Sequence, residues 1–199
     1  MVRQDLVPEN RFSPGRGQNE AACPLHRLRQ SRPVGFQDKV IAWNQLPDWR
    51  AEQRRLGKRV VVTNGCFDLL HLGHATYLQD ARALGDLLLV GVNSDASVRR
   101  LKGESRPIHP EMDRAALVAA LASVDAVCLF EDTSARRFLE SAEPDIWAKG
   151  ADYTLETLNQ EERRIVESKG GVIRFIPLVA GRSTTAALKA IEGRIRADR

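Results

Sequence analysis

The segment Val60-Val61-Val62-Thr63-Asn64-Gly65-Cys66-Phe67-Asp68-Leu69-Leu70-His71-Leu72-Gly73-His74 decides how the rest of the chain is read. It opens as a short apolar strand over 60–63, turns through Gly65, and enters a helix over 71–84. Gly85 ends that helix and is suited to a left-handed capping position. Strand, glycine turn and helix in that order form the first unit of a parallel sheet. Gly65 permits a conformation or a close approach that a Cβ would forbid, so main-chain N–H groups can face an anion. His71 and His74 stand three apart at the start of the helix, on one face and near the positive end of its dipole. Gly73 between them leaves room for a ligand to lie against the helix. Together these features suit a phosphoryl group, whose charge two imidazoles and backbone donors would spread.

Outward from this segment, short β-rich runs alternate with amphipathic stretches. Further strands are expected over 86–92, 126–130, 145–148 and 172–177. Helices are expected over 96–101, 112–124, 134–141, 159–169 and 184–195. Residues 37–56 read as helical material broken at Pro47, with Ile41, Leu46, Trp49 and Leu56 as packing residues. The fold class is therefore α/β, a Rossmann-like, doubly wound five-stranded parallel sheet, which binds ligands beyond the carboxyl ends of its strands. No repeat of 20–50 residues is visible, which excludes solenoids and propellers.

The composition agrees: 199 residues, 43% hydrophobic and 28% charged, describe an ordinary globular chain. No apolar run approaches the roughly 18 residues of a membrane span, so no membrane partner is expected. Residues 1–36 hold six arginines against three acids, so +3 of the net +4 resides there and the body is nearly neutral. A nucleic-acid partner, which wants a basic face on the folded domain, is not expected. That segment also holds four of the nine prolines and no apolar periodicity, the composition of a disordered tail before a domain over 37–199. Cys23, Cys66 and Cys128 form no CxxC pair, so neither a disulfide framework nor a structural zinc is supported, and the compartment reads as cytoplasmic. Two histidines without a third ligand or an HExxH pattern make a poor metal site. Cys66 reads as a small apolar residue rather than a nucleophile.

His71-Leu72-Gly73-His74 resembles the HxGH signature of the nucleotidyltransferase superfamily, and the longer GCFDLLHLGH narrows the likeness to its cytidylyltransferase-like branch. Three further groups complete the resemblance: Asn93 to Gly103 with Arg106-Pro107-Ile108, Lys149-Gly150-Ala151-Asp152-Tyr153, and Gly181-Arg182-Ser183-Thr184-Thr185. In this order, over roughly residues 37–193, they closely resemble the adenylyltransferase domain of ADP-heptose synthases.

The resemblance implies transfer of AMP from ATP, with Mg2+, to D-glycero-β-D-manno-heptose 1-phosphate, giving ADP-heptose and pyrophosphate. It also suggests a homodimer. In bifunctional members a sugar kinase domain precedes this one, so a stand-alone adenylyltransferase served by a separate heptose kinase is expected. His71 and His74 would meet the α-phosphate, and Lys102 would bridge the substrate phosphate and ATP. Lys102 also reads as a solvated lysine at a helix end. Asn64, Gly65, Cys66, Phe67, Gly73, Lys149, Gly150, Asp152 and Tyr153 fall to the nucleotide. Ser183, Thr184 and Thr185, at a helix start, suit the β- and γ-phosphates. Asp68, Asn93, Asp95 and Arg106 fall to the acceptor side, although Asp68 could instead hold magnesium or, the preferred alternative, fix a turn or orient a histidine, and Arg106 could instead meet the β- and γ-phosphates or stand as a surface loop arginine. Glycine is common where Ala151 stands, so a positive φ there would strain the loop. His109, at a position usually asparagine, either touches the sugar or caps a loop. Mg2+ would be held mainly by ATP phosphates and water. Two other functions share these features: a cytidylyltransferase acting on glycerol 3-phosphate or a related polyol phosphate, and a catalytically silent nucleotide-binding module.

Overall fold

Five of the six strands are apolar runs whose alternate residues face opposite sides of one sheet. They are β2 (Val60–Gly65), β3 (Leu87–Asn93), β4 (Ala126–Phe130), β5 (Ile146–Gly150) and β6 (Val172–Ile176); β1 (Val40–Ile41) is a two-residue edge. The computed structural model describes residues 35–182 together with 184, 185, 187, 188, 193 and 194. The tail expected over 1–36 lies, up to residue 34, outside the described residues. Phe36 already belongs to a 3-10 turn, Phe36–Lys39.

All neighbouring strands pair in parallel, in the order β1-β4-β3-β2-β5-β6. The α/β doubly wound class holds, and among the described residues the count rises from five strands to six. β1 escaped detection because two residues display no period; its pairing with Val127 and Cys128 defines it. From β2 the chain builds outward through β3 to β4, then crosses back to place β5 on the other flank of β2. The direction of winding thus reverses between β2 and β5, and a doubly wound sheet opens its crevice at that point.

Helices α1 (Leu46–Arg55), α2 (Leu72–Arg82), α3 (Asp95–Lys102), α4 (Glu111–Ala119), α5 (Arg136–Ala142) and α6 (Gln160–Ser168), with a second 3-10 turn over Trp43–Gln45, connect and cover the strands. Both sheet faces are covered, which is why the strands read as unbroken apolar runs. On one face Val61, Leu88, Val90 and Val127 pack with Leu78 of α2 and Val118 of α4. On the other, Val60, Val62, Leu89 and Trp147 pack with Leu46 of α1, Phe138 of α5 and Val166 of α6.

Three local expectations change. Pro47 does not break a helix; it sits in the first turn of α1, where its missing N–H costs nothing. Leu56 is half exposed rather than packed, because α1 ends there and the chain turns away at Gly57. Gly85 does not adopt a positive φ. An added Cβ would lie 2.8 Å from the Arg59 carbonyl oxygen and from Val61, so close packing is what requires glycine there. No helix among the described residues is long and apolar enough to cross a membrane.

Candidate active site

The loop joining β2 to α2 rises at the crevice, and its unusual backbone lies two residues beyond the one expected to carry it. Phe67, not Gly65, has a positive φ of 46°. A bulky side chain rarely adopts this conformation, and such strain concentrates at functional sites. It places the Phe67 ring over Gly65, where an added Cβ would stand 3.1 Å from ring carbon Cε2, and 5.4 Å from the His74 ring. Gly65 is therefore needed for the close approach of Phe67.

His71 caps α2: its Nδ1 accepts from the His74 main-chain N–H at 3.4 Å. That assigns the ring proton to Nε2. The two imidazoles stack with centroids 3.9 Å apart. At Gly73 an added Cβ would stand 3.0 Å from the His71 ring and 3.2 Å from Arg182, so the pair closes only around glycine. Burial, and then the neighbouring His71, push the His74 imidazole down to about 4, against the Leu69 carbonyl. Burial, and then Arg182, lower His71 as well. Both rings are thus neutral donors at neutral pH. His74 Nδ1 is buried with no hydrogen-bond partner among the described residues. Below the ordinary imidazole value of 6.5, the unfolded chain binds a proton at His74 that the folded chain refuses down to about 4. Stability therefore falls as pH drops through that window. Urea unfolding between about pH 7 and about pH 5 should show this loss, smaller by roughly 1–2 kcal/mol in His74→Gln once the ring's partial exposure is discounted. An equal loss in the variant refutes the assignment.

Both imidazoles line a cleft of about 860 Å³. It also brings together Asn64, Gly65, Cys66, Phe67, Asp68, Gly73, Asn93, Lys102, Arg106, Lys149, Gly150, Asp152, Tyr153, Thr184 and Thr185. Ser183 lies outside the described residues, as does much of the helix expected over 184–195. Thr184 Oγ1 donates to the Leu69 carbonyl at 3.4 Å, tying that segment to the β2–α2 loop. Burial raises the Cys66 thiol, against Lys102, Arg114 and Arg106, which keeps it protonated and a poor nucleophile. Lys102 is exposed at the end of α3 and faces the cleft.

Asp68 is only 2% exposed, and its acceptors are in use. Arg106 Nε donates to Oδ2 at 2.5 Å, and the Ile108 and His109 main-chain N–H groups donate to Oδ1 at 2.8 and 3.0 Å. Burial works to raise this carboxyl, but the bonds from His109, Arg106 and Ile108 hold it below the usual range. Of the uses open to Asp68, these bonds are those of loop fixing. His109 contributes main-chain atoms to the same clamp: its carbonyl accepts from Arg114 Nε at 3.0 Å. Asn93 Nδ2 reaches Ser97 Oγ at 3.0 Å and holds the start of α3.

Asp95 is not brought into the cleft. It lines a separate shallow depression, and its Oδ1 accepts from Arg114 Nη2 at 2.8 Å. Across the cleft, Lys149 Nζ lies 5.1 Å from the Trp147 ring centroid and 4.6 Å from that of Tyr153. Ala151 has no positive φ, so alanine there carries no strain; its N–H donates to the Ile176 carbonyl at 2.8 Å.

Several contributors escaped the sequence reading. Tyr77 Oη stands 2.8 Å from Thr63 Oγ1 and donates to the Ala148 carbonyl at 2.9 Å, joining β2 to β5 under the cleft. Its spacing of three from His74 was the available signal. Arg182 lies within the quoted Gly181–Thr185 group, yet only the structure places it beside His71. Arg114 and Glu162 gave no local signal.

The chain matches the model of the cytidylyltransferase-like family over residues 62–190. It is 47% identical over 167 residues to the bifunctional protein HldE of Syntrophotalea carbinolica, covering 84% of this chain and 34% of that protein. It is 50% identical over 141 residues to the bifunctional protein HldE of Citrifermentans bemidjiense, covering 71% and 28%. The chain thus spans about a third of the length of the curated relatives it matches. Among solved structures, the lipopolysaccharide core biosynthesis protein from Thermoplasma volcanium is similar, with a TM-score of 0.51 and 31% identity. That alignment covers 62% of this chain and 98% of the other.

Proposed function

The chain belongs to the cytidylyltransferase-like family, and from that premise we propose that it transfers AMP from MgATP to D-glycero-β-D-manno-heptose 1-phosphate, forming ADP-heptose and pyrophosphate. One observation carries the reading. Two stacked neutral imidazoles line a cleft that also holds Lys102, Arg106, Arg182, Thr184 and Thr185. A sugar phosphate oxygen attacks the α-phosphorus in line. The new P–O bond forms as the bond to the bridging oxygen of the β-phosphate breaks, and pyrophosphate leaves with that electron pair. The attacking phosphate is already anionic, so no base and no covalent intermediate are needed, only positioning and charge stabilisation.

His71 Nε2–H and His74 donate to the α-phosphate oxygens as charge builds on them. Lys102 and Arg106 take the acceptor phosphate. Arg182 and the hydroxyls of Thr184 and Thr185, with Ser183, take the β- and γ-phosphates. Asn64, Cys66, Phe67, Gly150, Asp152 and Tyr153 surround the nucleoside. Mg2+ arrives as part of the MgATP substrate, held by phosphates and water. Asp68, the carboxylate beside the histidines, has its oxygens engaged by Arg106, Ile108 and His109. A sugar kinase must supply the 1-phosphate. The product would enter lipopolysaccharide core assembly, the process named for the T. volcanium protein.

Pyrophosphate release from MgATP or MgCTP, with a panel of sugar 1-phosphates and glycerol 3-phosphate, tests the proposal. Release is expected with ATP and the heptose 1-phosphate. Turnover confined to CTP and glycerol 3-phosphate, or none with any pair, refutes it. Every described site residue falls at or beyond Asn64, which supports 37–199 as the catalytic unit. Deleting residues 1–33 should leave the rate of release within about twofold, a change of under roughly 0.5 kcal/mol in the barrier. A tenfold loss would show that the unit needs the deleted segment.

A further inference from the structure

The reacting groups assigned above do not account for the whole lining of the cleft. Thr133, Asn159 and Glu162, at the amino ends of α5 and α6, reach the same space. Glu162 is 9% exposed, and its Oε1 accepts from Ser134 Oγ at 2.8 Å and from the Ala135 N–H at 2.7 Å. These bonds tie down the start of α5 and give Oε1 a structural purpose. Oε2 takes no hydrogen bond among the described residues and lies on the cleft wall. That oxygen is free to accept from a ligand's donor. Lys149 is close enough for its ammonium to feel the Glu162 charge, yet no ion pair joins them, and its Nζ rests against Trp147 and Tyr153. An unclosed anion–cation pair facing a shared cleft suits a ligand whose groups both donate and accept.

We propose that this bay, between Glu162 Oε2 and Lys149 Nζ, binds the hydroxyl groups of the acceptor sugar, and so selects a polyhydroxylated acceptor over a short one. The inference rests on the functional reading above and deepens it. A hydroxyl donates to the carboxylate while its neighbour accepts from the ammonium, which a vicinal diol does with one rigid unit. A phosphate is excluded by the carboxylate and belongs with Lys102 and Arg106. Thr133 and Asn159 border the bay with further polar groups.

Steady-state pyrophosphate release by the full chain tests this, using the heptose 1-phosphate and a pentose 1-phosphate that keeps the reacting group but has fewer hydroxyls. The wild type should prefer the heptose. Glu162→Gln keeps an Oε1 acceptor for Ala135 but presents a donor where Oε2 stood. It should raise KM for the heptose 1-phosphate roughly tenfold or more, leave KM for ATP within about twofold, and abolish the preference over the pentose. Thr133→Val, at an exposed position, should move the heptose KM in the same direction by less while the protein remains folded. A shift in KM for ATP instead would make the bay a ribose site and overturn the proposal. A lowered thermal midpoint with both KM values unchanged would reduce Glu162 to a tie for α5 and overturn it too. No turnover of any sugar phosphate by the wild type would refute the functional reading itself, and the bay's assignment with it.

Discussion

Replacing either imidazole with a methyl group, His71→Ala or His74→Ala, should lower the rate of pyrophosphate release by about 10²–10³-fold, the cost of removing one preorganised donor from a developing oxyanion. Most of the loss should appear in kcat, because the donors gain strength only as charge gathers on the α-phosphate oxygens. The structure supplies a control. His71 also caps α2 through Nδ1, so His71→Ala forfeits about 1 kcal/mol of helix stability alongside the chemistry. Asparagine is a good cap but presents no imidazole at the cleft, so His71→Asn should recover the stability and not the rate. If His71→Asn or His74→Ala turns over at a near-normal rate, the imidazoles do not act on the transferring phosphoryl group.

Arg114→Met should cost about 3–5 kcal/mol of folding stability, the range for breaking a buried charged pair from one side. The Arg114 side chain is completely buried. Its three nitrogens bind three separate segments: Nη1 the Cys66 carbonyl at 2.6 Å, Nε the His109 carbonyl at 3.0 Å, and Nη2 the Asp95 carboxylate at 2.8 Å. Removing the guanidinium strands all three acceptors. Arg114→Lys should recover little, because an ammonium cannot reproduce a planar fork reaching three directions. Urea unfolding at neutral pH measures the loss; a cost below about 1 kcal/mol would show that water satisfies those acceptors. Pyrophosphate release should fall as well, since the loop carrying Arg106 and the loop carrying Cys66 meet at this residue.

The expectation for Asp95 illustrates how far local reading extends. It lies in the Asn93–Gly103 group and was assigned to the acceptor on resemblance, yet the folded chain spends its carboxylate on Arg114. Asp68 is similar: a carboxylate beside paired histidines is open to several uses, and the arrival of Arg106, Ile108 and His109 from some 40 residues away selects one. Glu162 went unnoticed for the same reason. On α6 it reads as an ordinary helix-start acid, and only the approach of Ser134, Ala135 and Lys149 makes it part of a site.

From sequence alone came five of the strands, the parallel class, and the strand–turn–helix segment with its histidine pair. Each of these is local: apolar runs, a glycine between two helix-start histidines and helix-ending signals are written within a few neighbouring residues. Tertiary structure decided the edge strand β1, the roles of Asp68 and Asp95, the clamp made by Arg114, and the joining of Tyr77 to β2 and β5. These depend on which distant segments become neighbours. A side chain's partners are settled when packing brings other backbones within hydrogen-bond reach, and no spacing along the chain encodes that distance.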